Sequence, residues 1–492
     1  MRILQVTAEV FPLLKTGGLA DVLGALPVAL QQAGCDVRLL LPGYAPILDG
    51  LQDVQPLLHL PGRFGLAEVT LRQGRLPNGL LAIVIDAPAF YSGVTHPYLD
   101  TERRDHPLNP LRFALLGWVA AQLAAGSLPD WRPQIVHGHD WHAGLAMAYM
   151  ADMARWLGYR PAGGVFSVHN LAYLGCYPAT IFGDLGLPGA FYGMDGLEFY
   201  GAVSFMKAGL YYADRITTVS PSYAREIQSG EQGCGLHGLL QRRRGELTGI
   251  LNGVDYTVWS PEDDVWLPAR YGSANLAGKS QCKAALQADW GLQPDASAPL
   301  FVVASRLAEQ KGLHLVLAGL PQLLERGGQL AVLGRGEAAL ERAFQAVSAE
   351  YPGRVATRIG YDEASAHRLF AAADVVLLPS VYEPCGLSQL YGLRYGALPL
   401  VRHVGGLADT VVDCTLEALD DDTATGFVFQ SLDLSSYLAA LRRAFSLYRR
   451  PADWLVVQQR AMQQRFDWQS AAERYLALYA EAIPPWAVAG RQ

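Results

Sequence analysis

Short apolar runs, rich in β-branched residues, alternate with segments of helical periodicity along the whole chain. This alternation is typical of strands that are buried on both faces of a parallel sheet and connected by helices. In the first half, the predicted strands are Ile3–Val6, Val37–Leu41, Leu81–Asp86, Ile135–Val136, Val165–Val168 and Ile216–Val219. The predicted helices are about Leu19–Ala33, Leu111–Ala125, Ala143–Trp156 and Ala202–Ala213. The pattern therefore predicts an α/β fold, a parallel sheet with helices on both faces.

The second half of the chain repeats this plan. Its predicted strands are Leu300–Ala304, Leu330–Leu333, Val355–Ile359, Val375–Leu378 and Leu398–Val401, and its one clear predicted helix is Gly312–Arg326. The two halves meet near Thr248–Pro261, and an amphipathic helix at Ala471–Ala482 follows the second half. We therefore predict a first domain over 1–247, a second over 248–465, and a C-terminal segment 466–492 whose helix packs back on the first domain.

The composition excludes several classes of function. Of 492 residues, 51% are hydrophobic and 17% are charged, which favours large folded domains over disorder. A net charge of −7 without a long basic run argues against a nucleic-acid partner. No stretch reaches the roughly 18 apolar residues of a membrane span, and the N-terminus is too short and interrupted for a signal peptide. The six cysteines form no C-x-x-C pair, which predicts a reducing, cytoplasmic location and argues against a zinc site.

A polar loop follows the predicted strand Val375–Leu378 and carries Glu383. Apolar residues resume at helical spacing from Leu387, so Glu383 lies between the carboxyl end of a strand and the start of a helix. Ligands bind at such positions in open α/β sheets, and the amides that open a helix favour an anion. A second loop, Gly405-Gly406-Leu407, follows the next strand. This stretch predicts a site for a charged, hydroxyl-rich ligand, although a surface carboxylate is the alternative for Glu383.

A glycine turn, Lys15-Thr16-Gly17-Gly18-Leu19-Ala20-Asp21, follows the first predicted strand and opens a helix. Its glycines allow backbone amides to approach a ligand closely, and Lys15 could reach a phosphate or a sugar hydroxyl. The turn is neither a dinucleotide fingerprint nor a Walker loop, because its spacing differs from both. The same letters, G-G-L-A-D, recur at 405–409, which indicates either a chance likeness or two loops that face one ligand from two domains.

Two further strand ends carry histidines. His137-Gly138-His139-Asp140-Trp141-His142 is predicted to be a loop, in which three histidines could suggest a metal. A strand-to-helix loop does not obviously gather them on one side, so Asp140 as a polar anchor is favoured over a metal site. His169, after the strand Val165–Val168, heads another loop, and a buried, satisfied histidine is its alternative role.

Two cations follow the first strand of the second half. Arg306 and Lys311 are five positions apart on a loop that leads into a helix, which fits a diphosphate clamp because arginine supplies a fork and lysine a point charge. Two exposed surface charges are the alternative. Asn252, in Asn252-Gly253-Val254-Asp255, could lie in a simple turn.

Together these motifs resemble those of bacterial glycogen synthases and plant starch synthases. The resemblance runs from Met1 to about Tyr479 and rests on K-T-G-G-L-A-D-V, H-D-W-H, V-H-N-L-A-Y, L-N-G-V-D, S-R-L-x-x-Q-K-G and E-P-C-G-L-x-Q-L-Y-G. It implies the GT-B fold, in which two Rossmann-like, doubly wound domains face each other across a deep cleft. It also implies a retaining transfer of glucose from ADP-glucose to the non-reducing end of an α-1,4-glucan, either glycogen or a maltooligosaccharide.

The resemblance also assigns roles by position. Asp140 and His169 match residues at the sugar and the reacting centre, Arg306 and Lys311 match the pair that neutralises the departing ADP diphosphate, and Glu383 matches the essential carboxylate against the transferred glucose. Tyr361 would lie near the adenine, and the backbone from Cys385 to Leu387 would hold sugar hydroxyls. The implied substrate-binding residues are Lys15, Gly17, Gly18, Asp21, Asn252, Tyr361, Cys385, Gly386 and Leu387.

The chemistry that this resemblance implies agrees with the residues. Breaking a glucose–phosphate bond separates charge, and fixed cations at the diphosphate stabilise that separation. We expect no covalent sugar–enzyme intermediate, no metal and no pyridoxal phosphate. Asp420-Asp421-Asp422 is expected to be a solvated loop and not a metal motif.

Several alternatives remain open from the sequence. A glucan phosphorylase would need a lysine that holds pyridoxal phosphate, whereas the setting of Lys311 suits a diphosphate. A non-catalytic glucan-binding protein would be expected to lack the polar residues of the loops that follow the strands. All of them are present: Lys15, Asp140, His169, Arg306, Lys311 and Glu383. UDP-glucose could replace ADP-glucose, and the oligomeric state is open. Cys234 and His237 depart from the family pattern, which has an aromatic residue and an acid there, and this leaves acceptor preference open.

Overall fold

The computed structural model describes residues 1–94, 96–102, 104–360 and 362–488, and the chain forms two compact units. Unit 1 consists of Met1–Gly253 together with Trp468–Gln492, and unit 2 consists of Val254–Asp467. The sequence predicts domain breaks after residues 247 and 465. The contacts divide the chain after Gly253 and after Asp467, so Asn252 belongs to unit 1.

Unit 1 is built on strands that alternate with helices. The strands are β1 Arg2–Val6, β2 Asp36–Pro42, β3 Gln52–Pro61, β4 Glu68–Arg75, β5 Leu81–Asp86, β6 Ile135–His139, β7 Gly163–Val168, β8 Cys176–Pro178, β9 Glu198–Phe199, β10 Ala202–Ser204, β11 Arg215–Thr218 and β12 Leu247–Gly249. The helices before the first break are α1 Gly18–Gln32, α2 Ala45–Gly50, α3 Pro88–Tyr91, α4 Asn109–Ala125, α5 Gly144–Leu157, α6 Phe205–Tyr212, α7 Pro221–Glu226 and α8 His237–Arg242. Short 3-10 helices cover Trp141–Ala143, Ala179–Leu185 and Gly189–Phe191.

Nine of the described strands of unit 1 form one sheet in the order β12-β11-β7-β6-β1-β2-β5-β4-β3. Pairing is parallel from β12 to β5, and the strand order on either side of β1 is that of a Rossmann fold. The hairpin of β3 and β4 adds an antiparallel edge that the sequence analysis did not predict. Strands β8, β10 and β9 form a small separate sheet.

Two predicted elements of unit 1 were wrong in detail. The segment predicted to be one helix over Ala202–Ala213 begins as strand β10, and helix α6 starts only at Phe205. The hydroxyl of Ser204 caps this helix by accepting a hydrogen bond from the Lys207 N–H, which explains where the helix begins. Strand β6 extends through His137, Gly138 and His139, which were predicted to be loop residues.

Unit 2 contains a single described sheet. Its elements are α9 Ala277–Asp289, β13 Leu300–Ala304, α10 Leu313–Glu325, β14 Gln329–Gly334, α11 Ala338–Glu350, β15 Val355–Ile359, α12 Glu363–Ala372, β16 Val375–Leu378, α13 Ser388–Arg394, β17 Leu398–Arg402, α14 Gly405–Thr410, α15 Leu416–Asp420, β18 Phe427–Phe429, α16 Leu434–Tyr448 and α17 Pro451–Gln463. A 3-10 helix covers Glu309–Lys311. The six strands are parallel in the order β15-β14-β13-β16-β17-β18, which is the full Rossmann order.

The last described helices are α18 Trp468–Ala482 and α19 Pro485–Val488, which belong to unit 1. Helix α18 buries Trp468, Tyr475 and Tyr479. A side chain at Gly163 of β7 would lie 2.2 Å from the carbonyl oxygen of Ala482, so the helix end packs directly on the sheet.

The predicted α/β fold class with two Rossmann-like domains is confirmed. No helix within the described ranges combines the length and the apolar composition that crossing a membrane requires.

Candidate active site

In each sheet, the strands that come next along the chain lie on one side of the first strand, and the later strands lie on its other side. This switch point is where a ligand can bind. In unit 1 the chain winds outward from β1 in one direction and from β6 in the other, and in unit 2 the same reversal separates β13 from β16. Ligands of doubly wound sheets bind beyond the carboxyl ends of the strands at this point. The segments after these four strands therefore hold the candidate residues.

In unit 2, Lys311 and Glu383 form an ion pair at the switch point. The Lys311 Nζ atom lies 2.5 Å from Glu383 Oε2, and the Ser380 hydroxyl donates to the same oxygen at 3.1 Å. The Glu383 and Lys311 side chains are only 7% and 17% exposed, so solvent screens the pair poorly. The two residues that the sequence assigned to separate loops are thus in direct contact.

The close approach of two loops explains this contact. The Val381 N–H donates to the Gln310 carbonyl oxygen at 2.8 Å, and the Gln310 side chain donates to the Tyr382 carbonyl oxygen at 3.2 Å. Gly312 has a φ of +62°, and a Cβ atom there would lie 1.9 Å from the Pro379 carbonyl oxygen. Only glycine fits such a position, and it brings Lys311 against Glu383.

Arg306 lies on the same loop and is exposed. Its guanidinium lies 3.4 Å from Gln310 Oε1, a weak contact that leaves most of its donors directed to solvent. Arg306 and the Lys311–Glu383 pair therefore place two cations and one carboxylate beyond β13 and β16.

Gly405 and Gly406, which were predicted to lie in a loop, are the first two residues of helix α14. Gly405 has a φ of +45°, and a Cβ atom there would lie 1.9 Å from the Glu383 carbonyl oxygen. At Gly406 a Cβ atom would lie 2.1 Å from the Cys385 carbonyl oxygen, and its N–H donates to the Glu383 carbonyl oxygen at 3.1 Å. These glycines let α14 pack on the backbone of the Glu383 loop.

The backbone from Cys385 to Leu387 is held from below by Gln389. The Gln389 amide donates to the carbonyl oxygens of Cys385 and Gly386, both at 2.9 Å. Gly386 has a φ of +71°, and Leu387 immediately precedes α13. Among the described residues the N–H groups of Gly386 and Leu387 have no acceptor, and they are thus donors that a ligand could use.

In unit 1, the glycine turn after β1 is anchored by Glu9, a residue that the sequence analysis missed. Glu9 is 2% exposed, and its carboxylate accepts hydrogen bonds at 2.5 Å from the Thr16 N–H, the Thr16 hydroxyl and the Tyr98 hydroxyl. Its position directly after the first strand, at the switch point, was the signal that could have identified it.

The predicted residues of the glycine turn lie around the start of α1. Gly17 precedes the helix, Gly18 is its first residue, and Asp21 lies in its first turn. The Lys15 ammonium lies 2.7 Å from the Asp21 carboxylate, with the two side chains 30% and 22% exposed. A Cβ atom at Gly17 would meet nothing within 4 Å, so this glycine faces open space.

Asp140 follows β6 in a strained backbone conformation, with φ 57° and ψ −179°. Its carboxylate accepts hydrogen bonds from the N–H groups of His169 at 2.7 Å and Asn170 at 3.3 Å. Burial raises the pKa of Asp140 to about 7, although these two N–H groups favour the ionised form. Asp140 therefore ties the end of β6 to the loop after β7, and it titrates near neutral pH.

His169 is half-buried beyond β7, and its Nε2 atom lies 2.9 Å from His139 Nδ1. Burial lowers the pKa of His169 to about 3, so its ring is neutral at physiological pH. The sequence predicted neither this contact nor the burial of His139.

The three histidines of the H-G-H-D-W-H motif do not form a cluster with metal-binding geometry. Both ring nitrogens of His137 and of His139 contact protein partners, and His142 lies buried against Tyr98 and Phe113. Throughout the described ranges, no group of three or more His, Cys, Asp or Glu side chains could hold a metal ion.

Two of the predicted ligand-binding residues remain. Asn252 is 7% exposed, and within the described part of the chain its Oδ1 atom accepts no hydrogen bond. Tyr361 lies outside the described residues.

Lys311 is not the only lysine of unit 2, although the phosphorylase alternative was judged on Lys311 alone: unit 2 also contains Lys279 and Lys283. Lys279 donates to the Ala371 and Tyr395 carbonyl oxygens, at 3.0 and 2.9 Å. Lys283 pairs with Asp374 at 2.7 Å. Both are buried in the core of unit 2, away from the strand ends that carry Lys311.

Family comparisons identify the class of protein. The family described as starch synthase catalytic domain matches residues 2–242, and the family described as glycosyl transferases group 1 matches residues 298–446. The structure resembles the catalytic domain of starch synthase IV from Arabidopsis thaliana, which was solved with ADP and acarbose, at a TM-score of 0.88 and 31% identity over 98% of this chain and 99% of the other. Sucrose-phosphate synthase from Thermosynechococcus elongatus shares the fold alone, at a TM-score of 0.58 and 18% identity over 98% of both chains. The protein is a glycosyltransferase.

Curated relatives narrow this class to one family. The chain is 56% identical to glycogen synthase from Leptothrix cholodnii over 98% of its own length and 99% of that protein's, and 51% identical to glycogen synthase from Francisella philomiragia over 98% and 100%. The chain therefore belongs to the glycogen synthase family, as the motifs predict.

Proposed function

We propose that this glycosyltransferase moves glucose from ADP-glucose to the non-reducing end of an α-1,4-glucan, with retention of the anomeric configuration. The observation that carries the proposal is the Lys311–Glu383 pair at the switch point of unit 2, with Arg306 exposed beside it. Support for the donor and the acceptor comes from the starch synthase IV structure, which binds ADP and acarbose.

The proposed roles in unit 2 follow from charge. Cleavage of the bond between glucose and diphosphate leaves negative charge on the nucleotide, and Arg306 and Lys311 would stabilise it. When Lys311 moves to the phosphate, Glu383 becomes available to interact with the positive charge that develops on the sugar. The N–H groups of Gly386 and Leu387 would bind sugar hydroxyls beside Cys385, and Tyr361 would contact the adenine.

The proposed roles in unit 1 concern the sugar and the acceptor. Asp140 and His169 would bind the transferred glucose, since one offers a carboxylate and the other a neutral imidazole. Lys15, Gly17, Gly18, Asp21 and Asn252 would contact the substrates, with Glu9 holding their loop in place. Because no side chain is proposed to attack the sugar, the acceptor hydroxyl would enter on the face that the diphosphate leaves, without a metal or pyridoxal phosphate.

The cellular location is a separate proposal. All six cysteines are free thiols, which supports a reducing cytoplasm as the site of action.

The test is incorporation of labelled glucose into glycogen from ADP-glucose and UDP-glucose in parallel, by the natural protein, Glu383→Ala and Glu325→Ala. Glu325 is an exposed carboxylate at the end of α10 and serves as the matched control. We expect strong preference for ADP-glucose, loss of at least about a hundredfold in turnover with Glu383→Ala, and no change with Glu325→Ala. Incorporation from neither donor would refute the synthase proposal, and equal use of both would refute the donor assignment.

A further inference from the structure

A row of polar side chains crosses the interior of the unit 1 sheet. Gln5 of β1, His137 and His139 of β6, Ser167 of β7 and Thr217 of β11 are all 0% exposed. Buried polar groups cost free energy unless they are hydrogen-bonded, so such a row in the centre of a sheet needs an explanation. None of these five residues lies in the glycine turn or the loops described above.

The row is a continuous hydrogen-bonded chain that starts at His169. His169 Nε2 contacts His139 Nδ1 at 2.9 Å, and His139 Nε2 contacts Gln5 Oε1 at 2.6 Å. The Gln5 amide donates to the Tyr479 hydroxyl of α18 at 3.2 Å.

The series of hydrogen bonds continues beyond Tyr479. The Tyr479 hydroxyl contacts His137 Nδ1 at 2.8 Å. His137 Nε2 contacts the Ser167 hydroxyl at 2.7 Å, and this hydroxyl contacts that of Thr217 at 2.6 Å. The C-terminal helix is thus linked to a proposed site residue through buried hydrogen bonds.

The positions of the ring protons on His139 and His169 follow from which atom of each contact can donate and which can accept. The Gln5 amide is oriented with Nε2 donating to the Tyr479 hydroxyl, so Oε1 faces His139. Because Oε1 can only accept, this orientation places a proton on His139 Nε2. Burial lowers the pKa of His139 well below its usual range, so the ring is neutral and its Nδ1 atom has a lone pair. The proton in the contact between the two histidines must then come from His169 Nε2.

His169 is therefore left with a lone pair on Nδ1. Its pKa of about 3 makes the ring neutral, with one proton that Nε2 already carries. Among the described residues, Nδ1 has no hydrogen-bond donor, and the side chain is half-buried at the strand ends. This nitrogen can accept a hydrogen bond from a ligand hydroxyl, whereas the other tautomer would present a donor.

We propose that Tyr479, Gln5 and His139 are positioning residues that hold His169 as the Nε2–H tautomer, so that Nδ1 accepts a hydrogen bond from a hydroxyl of the transferred sugar. This inference rests on the proposed function for the identity of the ligand. It gives helix α18 a part in catalysis as well as in folding, through one tyrosine hydroxyl.

The tautomer is measured by 15N NMR of protein labelled at its histidines. A protonated and an unprotonated ring nitrogen resonate far apart, and the His169 signals are identified by their loss in His169→Gln. We expect a protonated Nε2 and a bare Nδ1 in the natural protein, and in Tyr479→Phe a mixture of both tautomers, since Gln5 loses the acceptor that fixes its amide. A protonated Nδ1 in the natural protein would overturn the inference, as would unchanged shifts in Tyr479→Phe.

Kinetics provide the second readout. We expect Tyr479→Phe to lower kcat about tenfold, the effect of about one net hydrogen bond, while KM for ADP-glucose changes less than about twofold. The matched control is Tyr149→Phe, because Tyr149 of α5 is also buried in unit 1. Its hydroxyl donates to the Leu185 carbonyl oxygen at 2.7 Å and takes no part in the hydrogen bonds that lead from His169 to Thr217. Equal kcat values for the two variants would overturn the inference.

These readouts separate this inference from the proposed function. If the natural protein transfers no glucose from either donor, the proposed function fails. The NMR measurement still decides whether the hydrogen bonds from Tyr479 through Gln5 and His139 set the tautomer of His169. If the natural protein is active and the tautomer is as expected, the comparison of Tyr479→Phe with Tyr149→Phe decides whether the tautomer matters for turnover.

Discussion

Asp140 is a buried carboxyl group on a backbone with positive φ, and each of these features costs free energy. The hydrogen bonds from the N–H groups of His169 and Asn170 offset only part of that cost, since the pKa of Asp140 remains raised to about 7. A group that costs stability is expected where function benefits from it. This supports the role proposed for Asp140 at the sugar.

The raised pKa predicts how Asp140 affects stability. The folded protein binds the Asp140 proton more tightly than the unfolded chain, so stability falls as pH rises from about 4 to about 7 and is constant above that range. Asp140→Asn removes this penalty, while its amide oxygen still accepts both backbone hydrogen bonds. We expect the variant to gain about 2–3 kcal/mol relative to the natural protein between pH 5 and pH 8, at about 1.4 kcal/mol per pKa unit.

The measurement is the free energy of unfolding of unit 1 in urea at pH 5, 6, 7 and 8. The control is Asp130→Asn at an exposed position, which should change stability by less than about 0.5 kcal/mol. A difference between Asp140→Asn and the natural protein that stays flat or shrinks with rising pH would contradict the prediction.

The positions of the candidate residues at strand ends could be predicted from sequence, but the side chains that hold them in place could not. Glu383, Lys311 and Asp140 follow apolar strands, where strand-end rules apply. Glu9 and His139 were missed because their importance depends on partners distant along the chain: Tyr98 for Glu9, and Gln5 and His169 for His139. Periodicity carries no information about such contacts.

The two G-G-L-A-D segments have the same letters but different surroundings. Each opens a helix, α1 in unit 1 and α14 in unit 2. Gly17 faces open space, whereas Gly405 lies against the Glu383 carbonyl oxygen with a positive φ. Gly405 thus allows α14 to pack against the Glu383 loop, whereas Gly17 leaves open space beside α1.

This difference predicts opposite outcomes for matched substitutions. Gly405→Ala should destabilise unit 2 by about 2 kcal/mol or more, because its Cβ atom collides with backbone and its φ is unfavourable. Gly17→Ala should change the stability of unit 1 by less than about 0.5 kcal/mol, since its φ of −159° is extended and no atom lies near. Urea unfolding of both variants checks this, and equal effects would show that the packing of α14 on the Glu383 loop is not what requires Gly405.

Elements with apolar periodicity were predicted well, and those without it were not. Strands β5, β13 and β16 match their predicted bounds. The end of β6 was missed because His137 and His139 are polar, and they are buried only because other side chains satisfy their ring nitrogens. The strand β10 was read as part of a helix because most residues of Ala202–Ala213 are apolar, a pattern that fits either element.

The chain leaves unit 1 at Gly253, forms unit 2, and returns to unit 1 at Trp468. The sequence predicted this return from one amphipathic helix, but not what the helix brings with it. Trp468, Tyr475, Leu478 and Tyr479 are buried, and the Tyr475 and Tyr479 rings contact His137 of β6. Unit 1 is therefore discontinuous in sequence, whereas unit 2 is a single continuous segment with its own core.

This arrangement predicts that the two units differ in their ability to fold from a single segment. A fragment of residues 254–467 should fold alone and unfold in one cooperative transition. A fragment of residues 1–253 should not, because four large apolar side chains at about 1.5–3 kcal/mol each amount to much of the roughly 5–15 kcal/mol that stabilises a domain. The gap left by α18 would also expose the Gln5 and His137 side chains that it covers.

A linked fragment tests whether α18 alone accounts for the difference. Val254 pairs with Asp467, so the ends at 253 and 468 lie near each other. A Gly-Ser linker of about six residues, which spans up to about 20 Å, can join 1–253 to 468–492. We expect circular dichroism and urea unfolding to show a cooperative transition for this fusion and a gradual one for 1–253. A fragment 1–253 that unfolds at the same urea concentration as the fusion would show that α18 is dispensable for the fold of unit 1, and its burial would then serve the Tyr479 hydroxyl rather than stability.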